Sequence, residues 1–255
     1  MSETFSSISL SKDSILEDMT AAVREDALKR QDQSITNEVI DKGTTILGTY
    51  TVLSDAITGG MGSVWRVRHN GWNAELAMKR PKPRFFAEAG AQRKENFIRE
   101  CEAWIDLGLH PNIVSCYYVR EIGGVPTIFS EWMENGSLKD RIKDGTLYSG
   151  GETEQQRRLL DIAIQFARGL HYSHEQGLIH QDVKPDNVLL TKDWDTKVAD
   201  FGLAKARAQL TDREVEEDTG ATVMAPTGGY TLAYCSPEQK GGGALTRRTD
   251  IYSWA

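Results

Sequence analysis

Apolar and polar positions change their period twice along this chain. Residues 50–53 (Tyr-Thr-Val-Leu) and 63–67 (Ser-Val-Trp-Arg-Val) read as short strands with a glycine-rich turn between them. Residues 74–79 make a third strand candidate. Over 94–107 the apolar positions move to helical spacing, with Phe97, Cys101 and Trp104 on one face. Residues 114–122 and 126–130 return to strand character. After Glu131 the chain turns helical. Thr153-Glu154-Gln155-Gln156 matches a capping box and predicts a long helix, ended by Gly177, in which Leu160, Ile164, Ala167 and Leu170 share a face. Residues 188–190 and 197–199 are short strand-like pieces. The stretch 204–229 has few apolar residues and little periodicity, which predicts a long functional or disordered loop. The pattern is that of an α+β chain: a small sheet carrying one helix, then a mostly helical half.

The first 45 residues read as a polar extension. Residues 1–12 are rich in Ser and Thr and predict disorder. From Ser14 a second capping box, Ser14-Ile15-Leu16-Glu17, precedes Leu16, Met19 and Val23 on one helical face. Such a helix either docks as a regulatory contact or frays in solution.

Composition narrows the function classes. The chain has 255 residues, with 30 Lys and Arg against 37 Asp and Glu, a net charge of −7. That balance gives no footprint of nucleic-acid binding. Three widely spaced cysteines, Cys101, Cys116 and Cys235, form no CxxC pair, so neither a zinc site nor a disulfide framework is expected. A reducing, cytoplasmic compartment fits. The N-terminus has no apolar signal region, and no apolar run approaches membrane-spanning length.

The candidate chemistry lies in four places. Gly59, Gly60 and Gly62, in the turn Gly59-Gly60-Met61-Gly62-Ser63-Val64, let the backbone approach a polyphosphate and aim N–H groups at it. Lys79 ends the apolar strand that follows, which suits a phosphate-binding cation. Glu100 on the next helix can pair with it, and Glu102 is the other candidate; residues two apart on a helix point to different sides. The third place is His180-Gln181-Asp182-Val183-Lys184-Pro185-Asp186-Asn187. The fourth is Asp200-Phe201-Gly202, with Ser236-Pro237-Glu238 further on.

Taken together and in this order, these stretches resemble the glycine-rich loop, catalytic loop, DFG and APE-type elements of Hanks-type protein kinases. The resemblance runs over roughly residues 48–255 and is closest to bacterial members, through His110-Pro111-Asn112-Ile113-Val114 and Ser236-Pro237-Glu238-Gln239. It implies a two-lobed protein-kinase-like fold, with a small β-rich lobe over 46–131 and a larger helical lobe over 132–255. It implies ATP- and Mg²⁺-dependent phosphotransfer to Ser or Thr hydroxyls of a protein substrate. In that reading Asp182 takes the hydroxyl proton, Lys184 faces the transferring phosphate, and Asn187 and Asp200 hold the metal. Val64, Ala77 and Leu189 sandwich the adenine, Glu131 and Met133 meet its edge, and Ser130 is the gatekeeper. Thr231 faces the substrate, and Asp250 opens the central helix of the large lobe.

Two positions depart from the pattern. Ile57 stands where the family has its first loop glycine, and Gln181 stands where it has an arginine. The sequence stops at Ala255, just inside the expected central helix, so the large lobe is expected to be incomplete, as in a fragment or truncated gene product. Two other function classes compete: a non-catalytic module with a kinase-like surface, and a small-molecule phosphotransferase. The full set Lys79, Glu100, Asp182, Asn187 and Asp200 speaks against the first, and Thr231 with its long preceding segment against the second.

Overall fold

The computed structural model describes residues 40–59, 62–83, 86, 90–201 and 231–255. The expected helix from Ser14, Gly60 of the turn and the loop 204–229 lie outside these residues.

Seven strands make an antiparallel sheet. They are β1 (Thr45–Ile46), β2 (Tyr50–Val52), β3 (Ile57–Thr58), β4 (Gly62–His69), β5 (Ala74–Pro81), β6 (Cys116–Ile122) and β7 (Val125–Glu131). Their order is β1-β2-β4-β5-β7-β6, with the short β3 also on β4. Alternation sorts the faces. Trp65 pairs with Met78 and Val67 with Leu76, and all four are buried on one side with Tyr50, Val52 and Phe129. Val64, Ala77 and Lys79 alternate to the other side. Residues 40–45, the end of the expected extension, already pack on this lobe: the Ile40 carbonyl accepts a hydrogen bond from Trp65 Nε1 (3.2 Å), and Thr45 pairs with Thr51 in β1–β2.

Helix α1 (Gly90–Ile105) packs Phe97, Cys101 and Trp104 inward, as its spacing predicts. Trp104 Nε1 donates to the Val114 carbonyl at 2.9 Å. The expected strand over 114–122 starts only at Cys116. The reason is a competing partner: Val114 N–H donates to Val198 (2.9 Å) and Ile113 bridges the same residue, so this stretch belongs to the lower hairpin.

Below the sheet come α2 (Leu138–Lys143), the long α3 (Glu152–Glu175), the hairpin β8 (Val188–Leu190) and β9 (Thr196–Val198), then α4 (Pro237–Lys240) and α5 (Arg247–Trp254). Two expectations for α3 need correction. It begins at Glu152 behind Gly151, whose φ of 83° a glycine adopts freely, so Thr153 is already inside the first turn and caps nothing. Its buried face is Ile162, Phe166, Gly169, Leu170 and Ser173, while Leu160 and Ile164 are 61% and 41% exposed. The helix carries two apolar stripes, and Gly169 decides between them. A Cβ there would stand 2.3 Å from the Asn112 carbonyl oxygen, so only glycine lets this face close onto the 112–114 segment.

One apolar cluster runs unbroken from α1 through Ile113, Cys116, Ile128 and Met133 to Phe166, Leu190, Val198 and Phe201. It is the floor on which the cleft between sheet and helices is built.

Candidate active site

The chain leaves α3, turns through Gly177 and enters the segment 180–187. Asp250, fully buried on α5, organises that entry. Its Oδ2 accepts the His180 N–H and its Oδ1 the Gln181 N–H, both at 2.7 Å, and His174 Nε2 donates to Oδ2 at 2.7 Å. His180 Nε2 donates to the Ala199 carbonyl (2.8 Å), which leaves Nδ1 to accept from the Asp182 N–H (3.2 Å). The His180 ring also rests against Phe201 at 4.8 Å. One histidine thus joins the segment before Asp182 to the segment before Asp200.

Asp182 is buried to 3% exposure, and its neighbours hold it from two sides. Asn187, in the single turn Pro185–Asn187, donates its amide to the Asp182 carbonyl oxygen (2.7 Å) and to its carboxylate (3.1 Å). Lys184 Nζ stands 2.8 Å from Asp182 Oδ2 and donates to Thr231 Oγ1 at 2.9 Å. Asp182, Lys184 and Asn187 from one stretch and Thr231 from another, 44 residues further on, meet at one place.

Across the cleft, Lys79 Nζ reaches Asp200 Oδ2 at 2.5 Å. Asp200 itself, two residues beyond β9, has φ of 64°, which turns the chain out of the strand direction there. Glu100 is half-buried on α1 whereas Glu102 is exposed, so of the two candidate carboxylates Glu100 is the inward one. The buried Cys101 thiol is pushed well up by burial first, with Cys116, Glu100 and Asp200 adding to the rise and Lys79 opposing it. The fields of Lys79, Glu100 and Asp200 therefore converge behind the cleft.

The roof of the cleft carries Val64, opposite Lys79, and Ala77, opposite Ser130. Gly62 is there for packing: a Cβ on it would stand 2.3 Å from the Arg80 carbonyl oxygen. Gly59 N–H closes the turn onto the Gly62 carbonyl at 2.8 Å. At the back, Ser130, Glu131 and Met133 lead out of β7. Leu189 on β8 lies below, tied in by Asn135 N–H to Leu190 O (3.1 Å) and Leu190 N–H to Gly136 O (2.9 Å).

The protein kinase domain family matches residues 50–255. The chain belongs to this family. Similar proteins include a probable serine/threonine-protein kinase of Clostridium acetobutylicum, 32% identical over 212 residues, covering 83% of this chain and 29% of that protein. The serine/threonine-protein kinase PrkC of Bacillus subtilis is 30% identical over the same length, covering 83% of this chain and 30% of its own. Among solved structures, the PknI kinase domain of Mycobacterium tuberculosis matches with a TM-score of 0.60 at 25% identity, over 85% of this chain and 74% of that one. Its two-lobed kinase fold is the fold of this chain. The chain spans about a third or less of the length of these curated relatives.

Three residues of this kinase-family site escaped the motif reading. His174 is one of several polar residues on α3, and only the fold brings it to Asp250. Lys197 on β9 sets its ammonium 2.7 and 2.8 Å from the two carboxylate oxygens of Glu131, whose Oε2 also accepts the Ser115 N–H (3.3 Å). This ion pair links the end of β7 to the lower hairpin. Gln239, the third, donates its side-chain amide to the Gln181 carbonyl oxygen at 2.7 Å. No local sequence signal marks these contacts, because each joins residues at least 58 positions apart. No helix among the described residues is long and apolar enough to cross a membrane.

Proposed function

We propose that the protein moves the γ-phosphate of ATP onto Ser or Thr hydroxyls of a protein substrate. The observation that carries this reading is the cluster of Asp182, Lys184, Asn187 and Thr231, in which an amide, a carboxylate, an ammonium and a hydroxyl are linked one to the next by contacts of 2.8–3.1 Å. Phosphoryl transfer needs positioning and charge neutralisation rather than covalent help. Asp182 accepts the proton of the incoming hydroxyl. Lys184 sits between that carboxylate and Thr231, where it balances charge on the phosphate and registers the substrate backbone near Thr231. Lys79, held beside Asp200 and near Glu100, supplies the second cation. Gly59, Gly60 and Gly62 cover the phosphates, Val64, Ala77 and Leu189 hold the adenine faces, and backbone groups of Glu131 and Met133 meet its edge.

The donor set suits magnesium. Asn187 and Asp200 offer hard oxygen ligands, and Mg²⁺ takes one or two such side chains and completes its shell with phosphate and water. Bound there, the ion would neutralise charge on the phosphate oxygens. Mg²⁺ rather than another divalent ion, the small lobe over 46–131 and large lobe over 132–255, a regulatory contact through the N-terminal extension and a cytoplasmic location complete the proposal.

The experiment is transfer of labelled γ-phosphate from ATP to a generic basic protein by the full gene product, followed by phosphoamino-acid analysis. Label on Ser or Thr that disappears with Asp182→Asn is the expected result. Label that persists in Asp182→Asn, or no label with the unsubstituted protein, overturns the reading.

A further inference from the structure

The backbone just before Asp182 is strained. Gln181 has φ of 66°, a left-handed conformation that a residue with a side chain adopts only when its surroundings impose it. Two side chains impose it, from opposite ends of the residue. Asp250 Oδ1 accepts the Gln181 N–H at 2.7 Å. Gln239 Nε2 donates to the Gln181 carbonyl oxygen, also at 2.7 Å. That carbonyl belongs to the peptide bond that leads into Asp182, so its orientation sets the direction in which the Asp182 side chain leaves the chain.

Gln239 is itself fixed. It is 5% exposed, its Oε1 accepts the Ser236 N–H (3.0 Å), and its own N–H donates to Ser236 Oγ (3.3 Å). The amide therefore has its oxygen occupied by the N-cap of α4 and its nitrogen aimed at the catalytic segment. Helix α4 is in turn joined to α5, because Thr249 Oγ1 donates to Glu238 Oε1 at 2.9 Å. Thr249 is the neighbour of Asp250. The two groups that hold Gln181 are thus parts of one connected unit, and that unit begins five residues after Thr231, which touches Lys184.

We infer that Gln239 is a positioning residue for Asp182: its amide clamps the strained Gln181 peptide and ties the placement of the catalytic carboxylate to the segment around Thr231. The inference rests on the phosphotransfer reading above for its catalytic consequence and on the geometry alone for the clamp.

The test is Gln239→Glu in the full gene product. Glutamate has the same shape and keeps an oxygen for the Ser236 N–H, but as a carboxylate it cannot donate to the Gln181 carbonyl. Turnover is expected to fall at least tenfold while KM for ATP stays within twofold. Adding Gln181→Gly should recover most of that loss, since glycine holds a φ of +66° without a clamp. Amide hydrogen exchange, which needs no turnover, is expected to quicken at least tenfold at Gln181 and Asp182 in Gln239→Glu.

Unchanged turnover and unchanged exchange would overturn the inference. So would a loss of turnover that Gln181→Gly does not recover and that follows a fall in the unfolding midpoint, because Gln239 would then serve only to hold α4. If the unsubstituted protein shows no turnover, the phosphotransfer reading fails, and the exchange result by itself upholds or overturns the clamp.

Discussion

Lys79 and Asp200, 121 residues apart in sequence, are joined by a 2.5 Å contact that crosses the cleft from sheet to hairpin. Lys79 stands on strand β5, with Val64 opposite it, and Asp200 stands two residues past the end of β9 in a left-handed conformation. Both side chains are mostly shielded from water, so each charge acts at close range. Lys79→Met and Asp200→Ala are each expected to lower turnover at least a hundredfold, about 2.7 kcal/mol in the barrier. Steady-state phosphorylation of a basic protein measures this. Near-normal turnover in either variant would remove that residue from the reaction.

Ser130 predicts an open space behind the adenine. It is buried, and its register partners, Ala77 and Cys116, are also small. ATP-competitive inhibitors extended with a large aromatic group should bind the unsubstituted protein well. Ser130→Met should weaken them more than tenfold, above about 1.4 kcal/mol, with KM for ATP little changed. Equal inhibition of both proteins would show that Ser130 does not guard the space.

Gly62 and Gly59 make a matched pair for stability. A Cβ at Gly62 would stand 2.3 Å from the Arg80 carbonyl oxygen, and backbone cannot step aside as a side-chain tip can. At Gly59 the nearest atom is 3.9 Å away. Gly62→Ala should destabilise by about 1–3 kcal/mol through forced separation of β4 and β5. Gly59→Ala should shift the denaturant midpoint far less. Comparable shifts would mean that the close approach is not what selects glycine at 62.

The three thiols should separate by reactivity. Burial pushes the Cys116 thiol up as it does that of Cys101, whereas Cys235 is only partly buried. The thiolate is the reactive form, so one thiol per chain should react quickly with a water-soluble disulfide reagent under native conditions, with two more released on denaturation. Mass mapping should place the fast one at Cys235. Fast labelling of Cys101 or Cys116 would contradict the packing behind the cleft.

Gln181 bears on how the loop over 204–229 is controlled. An arginine at that position can grip a phosphate with its planar fork, and glutamine cannot. The loop sequence also carries Asp212, Glu214, Glu216, Glu217 and Asp218, which repel an added phosphate. Replacing Thr219, Thr222 and Thr227 together with Ala should therefore lower turnover less than tenfold. A hundredfold loss would show that a loop phosphate switches the enzyme and that another basic residue holds it.

Much of this site was legible before folding is considered, because its chemistry is local. Asp182, Lys184 and Asn187 sit within six positions, so a single turn brings the Asn187 amide to Asp182 and leaves Lys184 beside it. Phe97, Cys101 and Trp104 follow the helical period, so their common face needs no tertiary knowledge. The α3 stripe shows where this logic stops. Leu160 and Ile164 have the same period as the face that is buried, and periodicity cannot rank two stripes on one helix.

The sequence by itself determined the short-range constellation of Asp182, Lys184 and Asn187, the apolar face of α1 and the strand alternation that sends Val64, Ala77 and Lys79 to one side of the sheet. Spacing and side-chain type are enough for these, since they depend on turns, pleats and helical periods of a few residues. Only the tertiary structure decided that Gly169 turns α3 toward Asn112, that Lys197 reaches Glu131 and that Asp250 and Gln239 hold the two ends of Gln181. Those contacts depend on which elements pack together, and packing is a property of the whole buried cluster rather than of any segment that contributes to it.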